Sequence, residues 1–232
     1  MPQTRQQFHE ELAALDRQML QMGTLVSRMM TQAVDALQQS DTAEAEAVLA
    51  QDDAVDAMNH DIEARCMRLL ALQQPVARDL RLIGTAFKVI TDLERIGDHA
   101  VDIAKISRKF SRQIPAGKPL IDVGPLAAMA QAMLLQSLEA LIRRDMTLAR
   151  QVCADDDRVD DEFKALREQL FQLSQGDPSF TPRVAYTLLA VVYLERIADH
   201  ATNIAERVHY VETGELEPLA REHRLAALAQ VA

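Results

Sequence analysis

The sequence predicts an all-α protein built as two tandem antiparallel three-helix bundles related by internal duplication. Three observations predict it. Good helix formers dominate (Ala, Leu, Gln, Glu, Arg, Met), and seven Gly and eight Pro in 232 residues leave few breaks. Apolar residues recur at helical spacing: Phe8, Leu12, Leu15, Met19, Met22, Val26, Met29, Ala33 and Leu37 keep three-to-four steps. A twelve-residue segment occurs twice: Leu93–Ala104 reads LERIGDHAVDIA and Leu194–Ala205 reads LERIADHATNIA, identical at nine positions.

The duplication is wider than that segment. Asp41–Asp56 aligns with Asp145–Asp160, matching at eight of sixteen positions that include Asp52/Asp156, Asp53/Asp157 and Asp56/Asp160. Each half therefore carries an Asp-rich helix followed by a Leu-Glu-Arg-Ile helix.

Helix punctuation divides each half into three. The first helix is predicted at about 5–39. Ser40 and Asp41 cap a second, about 42–72, and Pro75 sits near the start of a third, about 76–111. Ile114-Pro-Ala-Gly-Lys-Pro119 reads as the linker between halves. A fourth helix spans about 123–143. Asp145 caps a fifth, about 146–173, and Thr181 with Pro182 is an N-cap and first-turn pair for a sixth, about 182–211. Gly214 and Pro218 end it. The repeats thus run 1–113 and 119–213, followed by a tail, 214–232. Short connections favour antiparallel neighbours. The Met stripe of the first helix (Met19, Met22, Met29, Met30) reads as core, although such faces also leave room for a homodimer.

Composition excludes several function classes. A net charge of −10 makes a poor nucleic-acid binder and argues against docking on anionic lipid, since both depend on Lys and Arg. The polar N-terminus has no signal-peptide core, and apolar runs such as Leu188–Leu194 fall short of the roughly 20 residues that span a bilayer. The expectation is a cytoplasmic protein that meets membranes only through partners. Cys66 and Cys153 lie in helical patterns and read as buried thiols in a reducing compartment. There is no Gly-rich phosphate loop and no Gly-x-Ser-x-Gly, and His99 and His200 stand at i+5 from Glu94 and Glu195, which does not match the i+3 of the Glu-x-x-His in di-iron bundles.

The acids carry the remaining signal. Glu94, Asp98 and Asp102 are spaced i, i+4, i+8 and line one helix face; Glu195, Asp199 and Asn203 repeat it. Like charges at i, i+4 cost roughly 0.2–0.5 kcal/mol per pair, a cost accepted in both copies. Counting back from each hairpin turn places Asp56 level with Glu94, Asp52 and Asp53 near Asp98, Asp160 level with Glu195, and Asp156 level with Asp199. One reading is two carboxylate clusters that hold a hard or borderline cation such as Fe, Mn or Mg, with Zn also accommodated. The other is two solvated acidic faces balanced by Arg95, Arg196 and Arg81. His99 and His200, about 100° off the stripe, are expected to make capping or inter-helix hydrogen bonds.

On the motifs Glu94–Asp98 in LERIGDHA and Glu195–Asp199 in LERIADHA, set in a duplicated six-helix layout over nearly the whole chain, the sequence resembles the PhoU family of regulators associated with bacterial phosphate transport. The resemblance implies two three-helix bundles and a non-enzymatic negative adaptor between the phosphate ABC transporter, through its ATPase subunit, and a sensor histidine kinase. It also implies Fe, Zn or Mn at the acidic motifs in some members. Carried over residue by residue, the sites are Glu94, Asp98 and Asp102 with Asp53 and Asp56, and Glu195, Asp199 and Asn203 with Asp157 and Asp160. The runner-up is a carboxylate-bridged metal bundle with a storage or enzymatic role.

Overall fold

The computed structural model describes residues 2–113 and 119–216, and all regular structure among them is helical. In chain order the helices are α1 (Pro2–Gln39), α2 (Thr42–Leu49), α3 (Asp52–Gln73), α4 (Ala77–Gln113), α5 (Gly124–Arg143), α6 (Met146–Gly176) and α7 (Thr181–Thr213), with a 3₁₀ turn, Pro178–Phe180, before α7. The linker assigned to 114–118, and the tail beyond residue 216 with its Pro218 stop, lie outside the described residues.

The predicted caps hold at two helix starts. The Asp41 carboxylate accepts from the backbone N–H groups of Ala43 and Glu44, and Asp145 does the same for Thr147 and Leu148. Gly214 closes α7 at φ 84°, a left-handed conformation that costs glycine nothing, and its N–H donates to Tyr210. Two details differ from expectation. The second helix is not continuous: at Ala50–Gln51 the hydrogen bonding tightens to an i→i−3 step from Gln51 to Val48. The Gln51 amide is drawn aside, donating to the Gln32 side chain and the Ala47 carbonyl. Nor does Thr181 cap α7. It lies inside the helix, and its hydroxyl donates back to the Pro178 carbonyl, because the 3₁₀ turn already feeds the chain into helical geometry.

Four helices form the centre: α1 packs on α4, α4 on α7, α7 on α5 and α5 on α1. α3 lies over α1 and α4, and α6 over α5 and α7. Polar contacts fix the directions. Ser107 and Ser111 donate to the carbonyls of Ala36 and Ser40, so α1 and α4 run parallel. Gln38 meets Asp122 while Arg144 meets Asp16, so α5 runs against α1. Gly23 allows the close approach of those two: a Cβ there would stand 2.2 Å from Leu138 Cδ1.

The Met stripe is core. Met19, Met22, Met29 and Met30 are buried, so these side chains do not offer a dimer surface. Both cysteines are buried and free, and burial pushes each thiol up to about 12, which leaves them inert. One helix corrects the run-by-run hydropathy reading: α5, Gly124–Arg143, has the length and apolarity of a bilayer span, with mean hydropathy 1.3. Half of it is buried inside the fold, where Leu126, Ala130, Leu134, Leu138 and Leu141 face the core.

Candidate functional site

The duplicated segments meet each other. α4 and α7 run antiparallel, pairing Arg78 with Glu212, the Arg81 guanidinium with the Val211 carbonyl, Asp92 with His200, His99 with Tyr193, and Phe110 with Tyr186. In this register the two LERI segments cross at a local two-fold centred near Arg95–Ile96 and Arg196–Ile197. Their apolar positions (Leu93, Ile96, Ala100, Ala104 and Leu194, Ile197, Ala201, Ala205) are all buried. The polar positions between them make the two faces and the seam described next.

On the first face Asp52 comes from α3 and Asp98 from α4. Burial, then the carboxylates of Asp56, Asp98 and Asp53, hold Asp52 above the usual range, with Lys105 opposing. Asp98 is paired with Arg95 at 3.2 Å, and Asn59 donates to Glu94 at 3.5 Å. The expected level of Asp56 with Glu94 is therefore taken by Asn59, about one helical turn along. Asp53 and Asp56 stand exposed at the rim, and the Asp56 carbonyl accepts from His60 at 2.7 Å.

The second face repeats the first. Burial, then Asp199, Asp160 and Asp156, hold Glu195 above the ordinary glutamate range, with Arg196 opposing. Arg196 reaches both Glu195 and Asp199 at 3.6 Å. Asp156 accepts from Thr202 at 3.3 Å, and Asp157 stands exposed at the rim. The inward acids are thus Asp52 and Asp156 rather than the neighbouring Asp53 and Asp157. Asp52 and Asp156 lie three residues before the buried Val55 and Val159, on the core-ward flank of their helices.

Asp102 and Asn203 belong elsewhere. Asn203 donates across to Asp92 of α4 at 3.3 Å, not to the acids of α6. Asp102 pairs with Lys105 at 2.9 Å and hydrogen-bonds Tyr193 of α7. Both sit in the seam, since the i+8 position has drifted about 80° from the first acid toward the neighbouring repeat. Asp92 and Tyr193 occupy equivalent positions just upstream of the two motifs, and sequence reasoning passed over both. His200 Nδ1–H donates to the same Asp92 oxygen at 2.9 Å, the inter-helix bond expected of it. His99 departs from that expectation: its ring stacks on Tyr193 at 5.4 Å and lies 5.6 Å from His200, while its Nδ1 is buried without a partner. Burial and the His200 imidazole hold His99 below the usual histidine range. Arg81, expected to balance an acidic face, is at the far end of α4 on the Val211 carbonyl.

The donor set on each face is all-oxygen and crowded, the chemistry that suits a hard cation. In the arrangement described, guanidinium and ammonium groups supply the counter-charge. Among the described residues no three His, Cys, Asp or Glu side chains converge as a ligand set.

Comparison with known proteins agrees with this geometry. Residues 19–107 and 123–208 each match the PhoU domain, one match for each repeat and its motif. The chain is 36% identical over 212 residues to the phosphate-specific transport system accessory protein PhoU homolog of Clostridium acetobutylicum, covering 91% of this chain and 96% of the relative. It is 37% identical over 209 residues to the homolog of the same name from Pseudomonas aeruginosa, covering 90% of this chain and 86% of that relative. The crystal structure of PhoU from Pseudomonas aeruginosa superposes with a TM-score of 0.85 at 36% identity, over 90% of this chain and all of that one. That of the phosphate transport system regulatory protein PhoU from Streptococcus pneumoniae superposes at 0.84 and 32%, over 90% and 99%.

Two predictions follow from the site. Because the folded Glu195 binds its proton more tightly than the unfolded one, the ionised form is penalised in the fold above its folded pKa, and the penalty vanishes below the ordinary value of 4.5. Glu195→Gln, and Asp52→Asn by the same sign, will therefore raise the urea midpoint at pH 7, and the gain will close as pH falls below 4. Asn203→Asp will set a second carboxylate against Asp92, costing about 1–2 kcal/mol at neutral pH. Equilibrium unfolding will show that loss recovered in the Asn203→Asp/Asp92→Asn double variant.

Proposed function

This chain belongs to the PhoU family, and on that premise we propose that it is an accessory, regulatory protein of a phosphate-specific transport system. The observation that carries the reading is the pair of PhoU-domain matches, which together span both repeats and contain both motifs. The relatives' names speak for transport regulation rather than for a metal-storage or enzymatic bundle.

More finely, the protein acts by binding and not by turnover. It bridges the ATPase subunit of the phosphate transporter and the sensor histidine kinase, and restrains kinase output when phosphate is plentiful. It works in the cytoplasm and reaches the membrane through those partners. The support is chemical. A long rigid helical body with net charge −10 offers extended acidic faces that suit basic partner surfaces. Deleting the gene is expected to switch on a phosphate-starvation reporter in phosphate-rich medium; a reporter that stays repressed would sink the adaptor reading.

The acidic faces are also proposed to take cations. The donors are Asp52, Glu94 and Asp98 on one side and Asp156, Asp160, Glu195 and Asp199 on the other, with Asp53, Asp56 and Asp157 at the rims. A bound divalent ion would supply the counter-charge that Arg95 and Arg196 supply in the arrangement described, freeing those guanidiniums for a partner. Protein purified without chelator is expected to carry Fe, Zn or Mn that Glu94→Gln/Asp98→Asn/Glu195→Gln/Asp199→Asn loses. Elemental analysis that finds no such difference would reduce the faces to protein-docking surface.

A further inference from the structure

The segment ahead of α5, the last turns of α6 and the turn that follows α6 line a pocket of about 410 Å³ that opens to solvent. It lies at the hairpin end of α6, away from Asp156 and Asp160 of the acidic face. Its floor is apolar: Ile121, Leu173 and Phe180 are half-buried, each packed on the core with part of the side chain still open. Its rim is polar, with Gln169 and Gln172 one turn apart on α6 and Asp177 at the helix end. The volume is that of a ligand site, about 300–1,000 Å³, and neither Lys nor Arg lines it.

Three groups make the rim negative. Asp177 accepts from the Ser179 backbone N–H at 2.9 Å, and that bond, with the Ser179 side chain, holds its carboxyl below the usual aspartate range, so it stays ionised. Gln172 donates to Glu168 at 3.0 Å, which brings a second carboxylate alongside. α6 is 31 residues long with no basic residue in its last turn, so its own sequence leaves the negative end of the helix dipole uncompensated. Phe180 already takes one cation, the Arg183 guanidinium 5.9 Å from its ring centroid. We propose that this pocket docks a basic segment of a partner protein, with an aliphatic side chain seated on Ile121, Leu173 and Phe180 and a neighbouring Lys or Arg held by Asp177 and the C-terminal end of α6. The Gln169 and Gln172 amides both donate and accept, which suits the backbone of such a segment. A net charge of −10 draws basic surfaces in from a distance, and the pocket supplies the short-range register that net charge lacks.

Methyl NMR on the full-length chain tests this, with the dipeptide N-acetyl-Leu-Arg amide as probe. Saturable shifts are expected at the Ile121 and Leu173 methyls. Asp177→Asn keeps the bond from Ser179, because the Asn carbonyl accepts in the same way, and is expected to raise Kd about threefold, the size of an exposed ion pair. Replacing the probe's Arg by Glu, or its Leu by Gly, is expected to weaken binding about tenfold. The absence of saturable shifts at those methyls overturns the proposal, as does equal binding of the Glu-containing probe or an unchanged Kd in Asp177→Asn. Methylguanidinium that binds there as tightly as the dipeptide also overturns it, because a small organic cation would then be the occupant. Shifts of the same methyls on dilution without any probe overturn it in favour of a second copy of the chain.

Discussion

The antiparallel crossing of α4 and α7 is the contact on which the rest of the structure depends. It buries the identical apolar positions of the two repeats against each other, so one set of small and branched residues serves both sides of a local two-fold. Ala100 and Ala201 let the helices approach, and Ile96 and Ile197 fill the centre. Because the crossing is antiparallel, each acidic motif points away from the dyad toward its own flanking helix, and the two acidic faces are set apart rather than merged.

The seam also explains where the repeats have diverged. A strictly symmetric chain would set carboxylate against carboxylate, or phenol against amide, at the two ends of the crossing. Instead Asp92 accepts from Asn203 as well as His200, and Tyr193 meets Asp102, so neither acid faces a second carboxylate from the other repeat. The Asp102/Asn203 difference, read along the sequence as an inequality between two sites, is the complement of the Asp92/Tyr193 difference. Carboxylate set against carboxylate at such a contact would repel, so the two differences complement each other.

Crowding of like charge is kept at both faces at the expense of stability. Asp52 and Glu195 are held in protonation-prone surroundings by burial and by their neighbours, and one arginine beside each motif offsets part of the repulsion. Neutral replacements of these acids would relieve that crowding, and at Glu94 the neutral Asn59 amide is the neighbour that donates.

Much of this was legible in the chain. Helix order and most boundaries follow from three-to-four spacing, from Asp41 and Asp145 as caps and from Gly214 as a stop, because these are local interactions within one turn of helix. The buried Met stripe and the meeting of Asp52 with Asp98 and of Asp160 with Glu195 follow from periodicity and rise per residue, whereas the level expected for Asp56 beside Glu94 is taken by Asn59. The break at Gln51 was not legible, since it depends on Gln32 and Arg28 of another helix. Nor was the choice of Asp52 over Asp53, which a shift of about 100° decides, or the removal of Asn203 and Asp102 to the seam. Those depend on which neighbour each helix face meets. A sequence fixes the angles between its own side chains on a helix; only packing against the other helices decides which of those angles look onto a carboxylate, a histidine or water.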